Sequence, residues 1–143
     1  HGQVATDPAT TLYINQQPEF RKLQPMLRTN RQGQMLTPGG SCRDMFLYVK
    51  DGALEDAELL VANMVGDRGV ARRTSDLIEA GYFGPLPVSD TFLGRVGNLV
   101  VLPYEGESIW WYEKDRFEQK FRGHHGGLTR SEMQIPLLLH ALG

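Results

Sequence analysis

The sequence contains a single cysteine, Cys42. That excludes an internal disulfide framework and a cysteine-rich zinc site, and it leaves the compartment open. No apolar run approaches the ~20 residues that a bilayer-spanning helix needs. An excess of charge is also missing. The formal net charge of −2 at pH 7 provides no basic footprint for nucleic acid. A small phosphorylated substrate remains compatible, because a local site can handle it. There is no Gly-x-Ser-x-Gly nucleophile elbow, no internal repeat and no low-complexity segment. Cys42 follows Gly39-Gly40-Ser41 without any signature that pairs it with a histidine. The opening His1-Gly2-Gln3-Val4 has neither Met nor a signal-like stretch, so the chain reads as a piece of a longer protein.

What is present is an ordinary globular composition, with 41% hydrophobic and 22% charged residues, on a chain long enough for one packed core. Thr10 to Asn15 reads as a short strand. Glu19 to Arg28 reads as a helix interrupted at Pro25. Thr29 to Ser41 is polar and reads as a loop, with Gly39-Gly40 as a flexible turn. Met45 to Lys50 is the clearest strand. In the segment after it, Leu54, Ala57, Leu60, Val61, Met64 and Val65 share one helical face, and Gly66 ends the helix. Gly69 to Arg73 follows as a strand, giving a β-α-β unit. Thr74 or Ser75 caps a short helix to Ala80, and Ser89 caps another from Asp90 to Val96. Asn98 to Leu102 is a buried strand, and Ser108 to Tyr112 is expected to run back as its hairpin partner. The Trp110-Trp111 pair reads as a strand covering the core, one ring inside and one partly outside. Strands alternating with short helices give an α/β or α+β class.

Ligand-grade side chains, paired glycines and a helix start coincide only in Phe121–Pro136. His124 and His125 offer imidazoles, and adjacent residues of an extended segment face opposite sides, so one can meet a metal while the other packs. Gly126 and Gly127 allow a tight turn or a close approach. Thr129 and Glu132 have capping-box spacing. Pro136 ends that helix, and Ile135 to Leu139 reads as a buried strand, with His140 structural in the apolar run Leu137 to Leu142. Arg21-Lys22 and Arg72-Arg73 read as solvated charges.

Phe121 to Leu139 (Phe-Arg-Gly-His-His-Gly-Gly-Leu-Thr-Arg-Ser-Glu-Met-Gln-Ile-Pro-Leu-Leu-Leu) resembles the C-terminal metal-ligand motif of type I phosphodiesterases and nucleotide pyrophosphatases, of the alkaline phosphatase superfamily. His1-Gly2 resembles the end of that family's Asp-His-Gly motif. Leu-Tyr-Val-Lys-Asp-Gly from Leu47, Glu-Ala-Gly-Tyr-Phe-Gly from Glu79 and Leu-Val-Val-Leu-Pro from Leu99 resemble its bacterial members.

The resemblance implies a partial alkaline-phosphatase-like fold, a mixed sheet with flanking short helices. Residues 1–143 would be one C-terminal fragment, with about 16–96 a variable, cap-like insertion and about 97–143 a return to the catalytic core. It implies two divalent metals, usually zinc, that activate a Thr or Ser nucleophile toward a phosphoester or nucleotide through a covalent intermediate. Residue by residue, His1 and His125 match metal ligands, and His124 matches a position that packs or hydrogen-bonds behind them. Gly126, Gly127, Thr129 and Glu132 support the loop. The nucleophile and the remaining ligands are not in this sequence, so the fragment alone is expected to be inactive, with an incomplete metal site. Its last strand, Ile135 to Ala141, would be exposed or paired with a second copy. Two alternatives stay open: a non-catalytic interaction domain, and a phosphomonoesterase or phosphonate hydrolase of the same superfamily.

Overall fold

The computed structural model describes residues 2–140. His1 and residues 141–143 lie outside the described residues, so the expectations for His1 and for the end of the last strand are not addressed by it. The N-terminal segment carries β1 (Val4–Ala5), a 3-10 turn (Pro8–Thr10), β2 (Leu12–Tyr13), a second 3-10 turn (Ile14–Gln16) and α1 (Phe20–Leu23). Pro25 falls in a 3-10 turn (Gln24–Met26) that closes α1, the interruption its missing amide dictates. The strand expected over Thr10 to Asn15 is therefore shorter than its composition suggests. A hydrophobic plug takes its place: Ile14 is fully buried.

The centre is a four-stranded sheet built from β3 (Gly39–Ser41), β4 (Asp44–Leu47), β5 (Gly69–Arg73) and β6 (Leu99–Pro103), in the order β3-β4-β6-β5 with every neighbour antiparallel. Gly39-Gly40 is thus part of an edge strand paired with Phe46 and Met45, and not a flexible turn. β4 and β5 run in the same direction with β6 between them. The β-α-β unit is present, but split, and its crossover is the twelve-residue helix α2 (Leu54–Val65). Parallel pairing occurs in a separate two-stranded sheet, so the mixed strand sense expected of the fold is distributed between sheets.

One sheet face and α2 make the core. Met45, Leu47, Leu99, Val101 and Ala71 line up in register and meet Ala57, Val61 and Val65 of α2, with Leu23, Leu27 and Ile109 closing the sides. β6 is buried along most of its length, as its unbroken apolar run requires of a central strand. α3 (Thr74–Glu79) packs on β5, and α4 (Asp90–Arg95) lies toward the β3–β4 side, where the Tyr48 hydroxyl donates to the Arg95 carbonyl at 2.7 Å. The Ser89 hydroxyl accepts from the Phe92 amide at 3.2 Å, the expected cap, whereas α3 starts from Arg73 with no side-chain cap.

β7 (Ile109–Trp110) corrects the hairpin expectation. It pairs parallel with β2 rather than folding back on β6. Asn15 decides this, because its side chain donates to the Tyr112 carbonyl at 2.9 Å and accepts from the Tyr112 amide at 2.7 Å, a long-range clamp that no local pattern announces. Both tryptophans are buried, at 6% and 8% exposure, rather than one in and one out; Trp111 packs edge-on against Phe20.

The chain then reaches β8 (Gly123–His124), antiparallel to β1, and the short helix α5 (Arg130–Met133). The strand expected over Ile135 to Leu139 is absent among the described residues. Ile135 is 68% and Leu138 94% exposed, and His140 is exposed too, so it has no structural role within an apolar core here. A strand needs a neighbouring edge to satisfy its backbone, and none of the described strands pairs with this segment.

Candidate functional site

The pairing of β1 with β8 sets Val4 opposite His124 and Ala5 opposite Gly123. The Thr6 amide extends this ladder by donating to the Arg122 carbonyl at 2.8 Å. Gly2 lies so close to α5 that a Cβ placed on it would be 1.8 Å from the Ser131 carbonyl oxygen. The two ends of the sequence that carry the family resemblance therefore lie side by side.

His124 is tied to its own turn: its Nε2 donates to the Phe121 carbonyl at 2.8 Å, which fixes the proton on that nitrogen. His125 is exposed and opens the loop into Gly126. Gly126 adopts φ +121°, a conformation that favours glycine, and a Cβ there would stand 3.0 Å from Asp44 Oδ1 and 3.1 Å from Ser41 Oγ. The Ser41 hydroxyl donates to the Asp44 carboxylate and sits 3.5 Å from the His125 carbonyl oxygen, the outer limit of a hydrogen bond. Burial raises the Asp44 carboxyl above its ordinary range, opposed by the Ser41 hydrogen bonds and, to a smaller degree, by His125.

Behind the loop lies a network that the sequence did not reveal. Arg43 is fully buried. Its Nε and Nη2 donate to Glu132 Oε1 and Oε2 at 2.9 and 2.8 Å, a bidentate fork. Its remaining N–H groups reach the carbonyls of Tyr104 at 2.9 Å and Pro103 at 3.2 Å, and the carbonyl of Glu107. Glu132 also accepts the Gly127 amide at 3.1 Å and the Thr129 hydroxyl. Burial alone would raise the Glu132 carboxyl, but the Arg43 and Thr129 hydrogen bonds and the Gly127 amide push it down to about 2.

Thr129 does occupy the N-cap of α5, yet its side chain makes no capping bond to the backbone. The capping-box reading is corrected here: the hydroxyl turns to the charged carboxylate, and the carboxylate reaches two residues farther back, to Gly127. The capping spacing drew attention to Glu132 for a role it does not play. Nothing in Ser41-Cys42-Arg43-Asp44 marked its partners. Cys42 is a core residue whose thiol burial pushes up to about 11, which removes it as a nucleophile.

Among the described residues no group of three or more His, Cys, Asp or Glu side chains is arranged to hold a metal ion. His125 could supply one exposed imidazole to a ligand set, but zinc takes three or four protein ligands, and the described residues do not assemble them. Beside Gly126 a narrow cavity of about 60 Å³, lined by Phe46, Phe83, Leu102 and Leu128, ends at Asp44. It lies far below the ~300 Å³ at which small-molecule sites begin.

No family model and no curated protein sequence matches the chain. Solved structures do. Murine ectonucleotide pyrophosphatase/phosphodiesterase 5, and an inactive variant of it in complex with AMP, each superpose with a TM-score of 0.51 at 14% identity over 89% of this chain. The chain spans 28% of the length of those proteins. At that identity the likeness is one of fold. The chain thus has a mixed α/β architecture like a part of the ectonucleotide pyrophosphatase/phosphodiesterase, alkaline-phosphatase-like fold.

Proposed function

We propose that the chain is the C-terminal part of a metal-dependent phosphodiesterase or nucleotide pyrophosphatase. The observation that carries this reading is the β1–β8 pairing, which sets the segment after His1 beside the His125 loop, as a shared metal centre requires. The fold likeness supports it independently. In this reading His125 and His1 each supply an imidazole, to different ions of a pair of divalent metals of zinc type. Those metals would stabilise the entering and leaving oxygens at phosphorus. His124 holds the turn before the ligand. A nucleotide is the substrate class supported by the AMP complex of the similar structure.

The remaining ligands and the nucleophile belong to the rest of the longer protein, so residues 1–143 alone are inactive. The test is turnover of a chromogenic phosphodiester by the full-length protein with zinc. His125→Ala should abolish it. Unchanged turnover in that variant would sink the reading, and a preference for phosphomonoesters over diesters would move the protein to another branch of the superfamily.

A further inference from the structure

We propose that the turn Ser41–Asp44, between β3 and β4, is the positioning device for the metal-ligand loop 125–127. The inference deepens the metal-site reading above and rests on it. The turn is more than eighty residues from the loop in sequence, yet it lies against the loop, reaching Gly127 through Glu132. The Ser41 hydroxyl, whose proton goes to Asp44, lies 3.5 Å from the His125 carbonyl oxygen. Asp44 and Ser41 form the wall against which Gly126 lies, so that a Cβ there would crowd their oxygens at 3.0 and 3.1 Å. Arg43 holds Glu132, and Glu132 takes the Gly127 amide; a Cβ on Gly127 would be 2.6 Å from Glu132 Oε2 and 3.2 Å from Arg43 Nη2.

The chemistry explains why a turn of this composition does the work. A histidine on a two-glycine loop has little intrinsic rigidity, because glycine leaves the backbone free. A metal ligand must be held in place before the ion arrives, or binding bears the ordering cost. The buried guanidinium provides that rigidity. Its fork fixes the plane of the Glu132 carboxylate, and its remaining donors lock the Pro103–Glu107 backbone in the same frame. The side chains of Ser41 and Asp44, polar and half-buried, bear directly on the peptide after His125. None of these residues needs to touch a metal or substrate. They act through His125, as the outer partners of metal ligands do elsewhere, where their loss lowers metal affinity by about 10- to 100-fold.

The experiment uses the full-length protein and the variants Ser41→Ala, Asp44→Asn, Glu132→Gln and His125→Ala. Three quantities are read: thermal unfolding without metal, zinc affinity by competition with a chromogenic chelator, and hydrogen–deuterium exchange of the peptide containing 123–128 in the metal-free protein. Asp44→Asn and Glu132→Gln should weaken one of two zinc ions by about 10- to 100-fold. Loop exchange should accelerate, and kcat should return at excess zinc. Ser41→Ala should do the same to a smaller degree, and it serves where Glu132→Gln fails to fold. Folded variants with unchanged zinc affinity overturn the proposal. If His125→Ala loses one zinc while the turn variants lose none, the turn is merely structural and the metal reading stands. If His125→Ala keeps both ions, the metal reading falls and the positioning role falls with it.

Discussion

Replacing Arg43 by alanine tests whether the buried ion pair is what secures the loop. The side chains are 0% and 2% exposed, so Arg43→Ala strands a carboxylate away from water. Breaking a buried pair from one side costs about 3–5 kcal/mol. The pH dependence of the Glu132 carboxylate, to which Arg43, the Thr129 hydroxyl and the Gly127 amide all contribute, gives a second magnitude for the whole network. The Glu132 carboxyl falls from an ordinary 4.5 to about 2 in the folded protein. At ~1.4 kcal/mol per unit the depression corresponds to about 3 kcal/mol. A depressed carboxylate contributes stability above its unfolded value. In the parent that contribution is full above about pH 4.5 and is lost as pH falls toward 2. In Arg43→Ala, burial acts unopposed by the guanidinium and raises the same carboxyl. The variant's deficit should then shrink on acidification, as the stranded group takes up a proton.

The assay is urea unfolding of the parent and of Arg43→Ala at several values from pH 7 to 4. A deficit below about 1 kcal/mol at pH 7 would refute the reasoning, being the size expected of an exposed pair. A deficit of the expected size that stays constant with pH would place the loss on the guanidinium bonds to Pro103, Tyr104 and Glu107 and not on Glu132.

Three further outcomes follow. Gly126→Ala puts a Cβ 3.0 Å from the Asp44 carboxylate at a φ of +121°, a strain of about 1–3 kcal/mol, so urea unfolding should show a loss of that size; a variant as stable as the parent would show that the loop relaxes freely. Cys42, with its thiol at about 11 and the residue 2% exposed, should resist a thiol-reactive disulfide reagent at pH 8 in the native protein and react at once in denaturant; rapid native labelling would contradict its place in the core. Residues 135–139, exposed here, should exchange their amides freely in the isolated chain and become protected in the full-length protein, where the core sheet would supply an edge. Equal exchange in both would refute that docking.

The elements written in short stretches of sequence emerge where expected. The apolar periodicity from Leu54 to Val65 gives α2, the Gly69–Arg73 and Asn98–Leu102 runs give the two strands that meet most extensively, and Ser89 caps α4. Each depends on neighbours within a turn or two, so local chemistry suffices. The candidate site was half legible. His125 and its glycines stood out by residue type and by resemblance, and Glu132 by its spacing from Thr129. The hairpin assigned to Ser108–Tyr112 failed because pairing partners are chosen by long-range bonds such as those of Asn15 to Tyr112, 97 positions away.

What the sequence alone determined, then, is the inventory: which segments are helical or extended, a fold class, and one loop rich in ligand-grade groups. The tertiary structure decided which distant residues act on that loop. Arg43 and Glu132 are 89 positions apart, and no periodicity or motif links them. Their pairing arises because the β3–β4 turn and the start of α5 are brought to the same buried place, where an arginine must find a carboxylate and a carboxylate must find donors. Short-range chemistry writes the elements. The cost of burying charge selects the long-range partners, and that cost exists only once the chain has folded.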